Sequence, residues 1–379
     1  MSKRSWISFQ LQAASLRDST LVRDSSPRSI RVLPELRATQ VEQSFLMSPA
    51  QTLYFRTNFD LDGTPVPTSF MKVGLGAAVK FLAHSKSEVL ELPEPLWIRF
   101  LPINVVLAAT WRISGFARLR SRRARTYAIE NNDPTVVIFG SSKPPSVVGS
   151  LGRLAVGLVF RLLYERVAFG TQGAADAYGR LPFARGIKST VIPALPSPGV
   201  ATATAVSESA VFVGRLDERK GVRRLIESWH AIESRSPHAV LTIIGDGPLR
   251  PEVQRWANET PASRKYLGSL PHADALIVVS RNRVLVAPSL RDGRWREQVG
   301  LPIVEGLSRG LTIVTSDDTG LADWLTVHNH YVYDNLAGVD ALANALSQAI
   351  ESPIDVKVVL DSLPYAHGRL RADAWIHNE

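Results

Sequence analysis

The chain has no cysteine. Disulfides, thiolate metal sites and cysteine nucleophiles are excluded with it. It also lacks a run of about 18 apolar residues; its longest candidates, Phe100 to Trp111 and Leu154 to Phe160, are too short to span a bilayer. No apolar core of a signal peptide lies near Met1. The eight histidines show no ligand spacing except His328-x-His330, which has neither cysteine nor patterned acids beside it. The expectation is therefore no metal and no other cofactor. A dinucleotide fingerprint is missing, because Arg250 stands where Gly245-x-Gly247 would need its third glycine. No Ser-His-Asp signature, internal repeat or low-complexity tract is readable. No helix-turn-helix or aromatic-interleaved RNA motif accompanies the basic charge, so nucleic acid is not expected as a partner.

What is present fits an α/β protein. A length of 379 residues suggests two domains, each with its own core. The net charge of +9 is uneven: residues 1–46 carry +3, residues 47–204 carry +9 and residues 205–379 carry −3. The excess reads either as a solubility feature or as attraction to an anionic surface. Residues 1–46 are polar without a sustained period and read as disordered. Met47 reads as the real translation start, with residues 1–46 a mis-called extension.

Thr52 to Phe59 reads as the first strand, followed by a Gly- and Pro-containing loop through Ser69 and a helix from Phe70 to Ala83. Asp60-x-Asp62 reads as turn chemistry. Pro95 to Phe116 reads as helical, and Arg112, Arg118, Arg120, Arg122, Arg123 and Arg125 follow or end it. Aromatics beside such a cluster have the composition of a membrane-surface patch; a solvated helix end is the plainer alternative. Arg125 to Asn132 reads as a strand whose polar end, Glu130 and Asn131, either faces a ligand or simply caps Asp133-Pro134. Residues 198–209, which open on Pro198-Gly199 and are rich in Ala, Ser and Thr, read as a linker.

The second half is organised around Val284 to Gly320. Glu297 and Glu305 are separated there by seven residues that include Gly300-Leu301-Pro302. Apolar runs on either side read as buried parallel strands, and Pro302 suits the first turn of a helix. Upstream come Gly214-Arg215 after an apolar run, Lys220-Gly221 five residues later, then Gly245-Asp246-Gly247-Pro248 and Tyr266-Leu267-Gly268.

This succession resembles the nucleotide-sugar half of retaining glycosyltransferase family 4. The resemblance covers about Ala210 to Ala349. It implies the GT-B fold: two Rossmann-like α/β domains with parallel sheets facing across a cleft. The corresponding division is residues 47–197 as the acceptor-side domain, 210–355 as the nucleotide-sugar domain, and 356–379 as a tail crossing back to the first domain. The implied activity is transfer of a hexose from a nucleotide diphosphate sugar, with retention, to a glycan or lipid-linked glycan in cell-surface polysaccharide synthesis. The implied catalytic residues are Arg215, Lys220 and Glu297. Gly214, Gly268, Gly300, Leu301 and Glu305 would join them in binding the donor, with Glu297 on the sugar and Glu305 on the ribose. Gly63, Thr64, Glu130 and Asn131 would lie on the acceptor side. Relatives have a Gly-Gly loop where this chain has only Gly63, and a His near position 130. Those departures leave open a different reading, a non-catalytic GT-B protein that senses nucleotide sugars or acts as a scaffold at a membrane. The expected location is the cytoplasm, peripheral on the inner face of the plasma membrane, in contact with anionic lipid.

Overall fold

A computed structural model describes residues 28–58, 61, 65–140, 144–199 and 206–377. The first domain runs β1 (Ser29–Leu36), α1 (Ala38–Ser44), β2 (Ala50–Thr57), β3 (Phe70–Lys72), α2 (Leu75–His84), β4 (Val89–Glu91), α3 (Leu101–Phe116), β5 (Ala124–Ala128), α4 (Pro134–Phe139), α5 (Ser146–Leu163), β6 (Tyr164–Phe169), α6 (Gln172–Gly179) and β7 (Lys188–Val191). Its seven strands are all parallel, in the order β3-β2-β1-β4-β5-β6-β7.

The strand read as first is therefore second in sequence, and residues 29–44, read as disordered, form a strand and a helix. β1 is central, pairing with β2 on one side and β4 on the other. Ile30, Val32 and Leu36 are buried in it. Its apolar pattern is hidden by Arg31, Pro34 and Glu35. Pro34 is tolerated because β4 pairs with β1 only as far as Arg31. Arg31 is buried because Glu91 and Asp373 accept from its guanidinium at 2.8 and 2.6 Å. A chain beginning at Met47 would lack this central strand. Phe70–Lys72, read as the start of a helix, instead forms the short edge strand β3.

The second domain runs β8 (Ser209–Val213), α7 (Val222–Arg235), β9 (Val240–Ile244), α8 (Arg250–Glu259), β10 (Arg264–Tyr266), α9 (His272–Ser280), β11 (Val284–Ala287), α10 (Leu301–Leu307), β12 (Thr312–Ser316), α11 (Ala322–Val327), β13 (Tyr331–Tyr333) and α12 (Gly338–Glu351). Its six parallel strands are ordered β10-β9-β8-β11-β12-β13. Trp229, Phe212 and Ile243 sit in one core of this domain, while Trp111, Phe160 and Tyr164 sit in that of the first.

The tail divides. α13 (Val356–Asp361) packs Val359 into the second domain. α14 (Gly368–His377) returns to the first, where Ala372 and Ile376 pack on Ala168 and Ile192. Arg31, Glu91, Arg369, Asp373 and His377 form the charged seam beneath it. Glu91, Asp373 and His377 could hold a metal by proximity, but Arg31 and Arg369 already neutralise their carboxylates. Gly368 donates its N–H to the Leu195 carbonyl at 2.8 Å, so the outgoing and returning crossings touch.

Two surface expectations change. Arg122 does not belong to the basic surface. It is buried, donates to the Ser85 and Ser87 carbonyls and to Ser114 Oγ, and stacks 4.2 Å from the centre of the Trp111 ring. Arg125 is likewise engaged, by Glu165 and the Ile376 carbonyl. Arg118 and Arg120 remain exposed. The apolar stretch read as running from Leu154 to Phe160 is part of an 18-residue helix, α5, with a mean hydropathy of 1.6. Gly157 lets it press against Pro182, whose carbonyl oxygen would lie 2.3 Å from any added Cβ. Its other face exposes Val147, Leu151, Leu154, Leu158 and Leu162.

Candidate active site

In both sheets the strand order reverses beside the first strand of the domain, at β1/β4 and at β8/β11. Ligands of open parallel sheets bind at the carboxyl ends of the strands at that reversal. On the second sheet these ends lead into Gly214-Arg215 and into Pro288-Ser289.

Local rules place Lys220 there. Asp217 accepts from the Lys220 N–H at 3.1 Å and caps a single 3-10 turn, Glu218–Lys220. Gly221 then turns with φ +71°, and a Cβ would lie 2.0 Å from the Pro288 carbonyl. Only glycine satisfies both the dihedral and the space. The turn brings Lys220 Nζ onto Glu297 Oε2. Ser289 Oγ donates to the same oxygen at 3.0 Å. The Trp295 ring lies 5.1 Å from both the Lys220 ammonium and the Arg219 guanidinium, which suits cation–π attraction.

Lys220 and Glu297 are thus brought together. Arg215 stands apart, largely exposed and 3.4 Å from Asp217. Gly214 packs under β9, where its carbonyl would lie 1.8 Å from a Cβ on Gly245. Gly268 has φ +68° and accepts from the Gly245 N–H. Gly300, with φ +78°, leads into α10 at Leu301. Glu305 is paired with His272 Nε2 at 2.6 Å. That hydrogen bond raises the His272 pKa above its ordinary value, and the Glu42 carboxylate on α1 adds to the rise across the cleft.

The opposite wall differs. Glu94, just past β4, accepts at one oxygen from the Ile129 and Glu130 N–H groups at 3.2 and 3.0 Å and from the Tyr178 hydroxyl at 3.1 Å. Burial pushes its pKa up to about 7 against these donors, and the Glu130 carboxylate adds to the rise. Glu130 and Asn131 reach the second domain. Asn131 N–H donates to Gln298 Oε1 at 2.9 Å, and Gln298 Nε2 donates to Glu130 Oε1 at 2.8 Å. Arg296 Nη1 donates to the Asn131 carbonyl, and Asn132 Nδ2 to the Arg294 carbonyl. Gly63 and Thr64 lie outside the described residues, as do Asp60 and Asp62.

His330 is buried, its Nδ1 accepts from the Ile313 N–H, and burial lowers its pKa to about 4. Its neighbour His328 stacks on Trp324 with ring centres 4.0 Å apart. Neither histidine faces the cleft residues named above. The residues missed by sequence reading are Glu94, His272, Ser289, Trp295, Arg296 and Gln298. Trp295, a lone aromatic in a polar loop beside Glu297, was the available signal.

Residues 206–359 match the family described as Glycosyl transferases group 1. Over 151 residues the chain is 30% identical to the GDP-mannose-dependent alpha-(1-6)-phosphatidylinositol dimannoside mannosyltransferase of Mycobacterium tuberculosis, covering 40% of this chain and 38% of that protein. It is 28% identical over 145 residues to a glycogen synthase of the same organism, covering 38% of this chain and 34% of that protein. The matches thus span a little over a third of each curated relative. The fold extends further. The lipopolysaccharide outer core galactosyltransferase WaaB superposes with a TM-score of 0.61 at 12% identity, covering 92% of this chain and 98% of WaaB. Anabaena Alr3699/HepE in complex with UDP gives 0.61 at 14% identity, covering 92% and 96%. The chain has the GT-B fold.

Proposed function

We propose that this protein is a retaining glycosyltransferase that moves a hexose from a nucleotide diphosphate sugar to a glycan or lipid-linked glycan. The observation that carries the reading is the Lys220–Glu297 pair, set with Ser289 and Trp295 beside the strand reversal of the second sheet. Breaking the sugar–phosphate bond leaves negative charge on the diphosphate. A cation already positioned there stabilises the transition state without reorganising. Lys220 supplies a compact charge, and Arg215, projecting into solvent, can turn its planar fork onto phosphate oxygens. Glu297 exchanges its protein partners for sugar hydroxyls, Glu305 takes the ribose beside His272, and the Gly300-Leu301 backbone faces the diphosphate or sugar. These side-chain cations would neutralise the leaving group without a metal ion.

We also propose that the first domain rests on anionic lipid at the inner face of the plasma membrane, which brings a lipid-linked acceptor to the cleft. Residues 95–129 and 134–164 contain no carboxylate, and they carry Arg118 and Arg120 as well as the apolar face of α5.

The deciding experiment incubates purified protein with a panel of nucleotide diphosphate sugars and follows release of the nucleoside diphosphate. A ligand at 100 times its dissociation constant should also add about 2.7 kcal/mol of stability. Release with one donor, and an unchanged anomeric configuration in the product by NMR, is the expected result. Binding without release would favour a sensor or scaffold; no binding of any donor would remove both readings.

A further inference from the structure

Glu297 lies between two residues that hold the opposite domain. Gln298 accepts from the Asn131 N–H and donates to Glu130, closing a two-way hydrogen-bonded ring across the cleft. Arg296 donates to the Asn131 carbonyl, and its other nitrogens reach the Asp317 and Asp318 carbonyls. Gly320 completes the joint: its N–H donates to the Glu297 carbonyl. A Cβ on Gly320 would lie 1.9 Å from the Gln298 carbonyl and 2.4 Å from the Asn131 amide nitrogen.

We infer that Arg296 and Gln298 are positioning residues: they clasp the 130–132 turn of the first domain and so couple closure of the cleft to the placement of Glu297. The inference rests on the reading of Glu297 as the residue that meets the donor sugar. The physical reason is continuity. The side chains on both sides of Glu297 are hydrogen-bonded to a turn at the end of β5, and its own carbonyl accepts from Gly320. A separation of the domains therefore pulls on the backbone that carries the carboxylate. The clasp does not touch Lys220 or Ser289, which sit on loops leaving β8 and β11. The diphosphate is thus met by the Lys220 loop and the sugar aligned by the clasp, and the two meet at the Lys220–Glu297 pair. The clasp would make a donor held in the open cleft bound but unaligned.

The test needs a readout of closure that is independent of turnover. The absence of natural cysteine allows Val147→Cys and Leu336→Cys, both at exposed positions in different domains, to carry a fluorescent pair. Gln298→Glu sets two carboxylates against each other. It should lengthen the interdomain distance and lower kcat about tenfold, a coupling normal for a contacting polar pair. Nucleoside diphosphate affinity should stay within about twofold. Adding Glu130→Gln to Gln298→Glu exchanges donor and acceptor and should restore the short distance. Gly320→Ala should open the clasp by steric exclusion. An unchanged distance in Gln298→Glu, or a double exchange that stays open, overturns the inference. A kcat loss mirrored by an equal loss of nucleoside diphosphate binding overturns it too. If the wild type binds no nucleotide while the distances behave as stated, the transferase reading fails and the clasp stands.

Discussion

The two walls of the cleft are built from the same strand order and meet it with opposite electrostatics. On the second domain, the loops at the reversal hold charges in contact with each other: Lys220 against Glu297, and His272 against Glu305. On the first domain, the Glu94 carboxyl beside the reversal is pushed up to about 7 and Tyr178 is buried, while the Glu130 carboxylate is held by Gln298. One wall exposes charge that a charged ligand can displace. The other removes charge from the Glu94 carboxyl by burying it. That division suits a reaction with an anionic donor on one side and a neutral hydroxyl acceptor on the other, and it can be attacked from either side.

The charged wall should fail hardest. Lys220→Ala should lower turnover about 100-fold with the fold intact, by analogy with loss of one charge-stabilising donor. Turnover at the wild-type rate would take Lys220 out of the chemistry.

The neutral wall should show itself through pH. Folding raises the Glu94 pKa from 4.5 to about 7. The folded chain therefore keeps a proton through that window which the unfolded chain has released. The penalty for ionising Glu94 is absent below the window, grows across it and is constant above it. Glu94→Gln should consequently gain stability over the wild type on going from pH 5 to pH 8, by on the order of 2 kcal/mol. Urea unfolding at the two pH values measures this, and a difference between the two proteins that does not change with pH would count against a neutral wall.

Within the charged wall the two glutamates should separate. Glu305→Gln should weaken nucleoside diphosphate binding about tenfold, the scale of one charge-assisted hydrogen bond. Glu297→Gln should bind that ligand normally and lose turnover instead. Calorimetric titration distinguishes them, and equal effects would merge the assigned roles.

The smallest effect is expected away from the cleft. A single Arg120→Gln should weaken sedimentation with anionic vesicles by about 1 kcal/mol at low salt. Attraction of this kind fades beyond about 8 Å at physiological salt. Binding that is indifferent to lipid charge and to this change would leave the basic excess as a solubility feature.

Lys220, Glu297 and Glu305 of the charged wall are legible in sequence because each belongs to a short local motif, whereas His272, which pairs with Glu305, carries no such signal. Gly-Arg, Lys-Gly and the glutamate pair each come after an apolar run that reads as a strand. The neutral wall is not legible in this way. β1 reads as polar because Arg31 is matched by Asp373, a partner 342 residues away. Arg296 and Gln298 look like ordinary loop residues until Asn131 and Glu130 are brought to them across 165 and 168 residues. Arg122 reads as surface charge because nothing in its run of arginines distinguishes the one that stacks on Trp111. Periodicity reports burial along one element. It does not report a charge neutralised by a distant one.

The contact between Gly368 and Leu195 has a mechanical consequence. The chain passes between the domains twice, and the two passages are bonded side by side, with no room for a Cβ on Gly368 beside the Pro193 carbonyl. Sliding one domain along the other would have to shear both passages and their shared hydrogen bond. Swinging about them leaves both intact. Two strands of backbone paired in this way have the geometry of a single hinge pin, and a swing about it would carry the loops of the second domain away from the 130–132 turn.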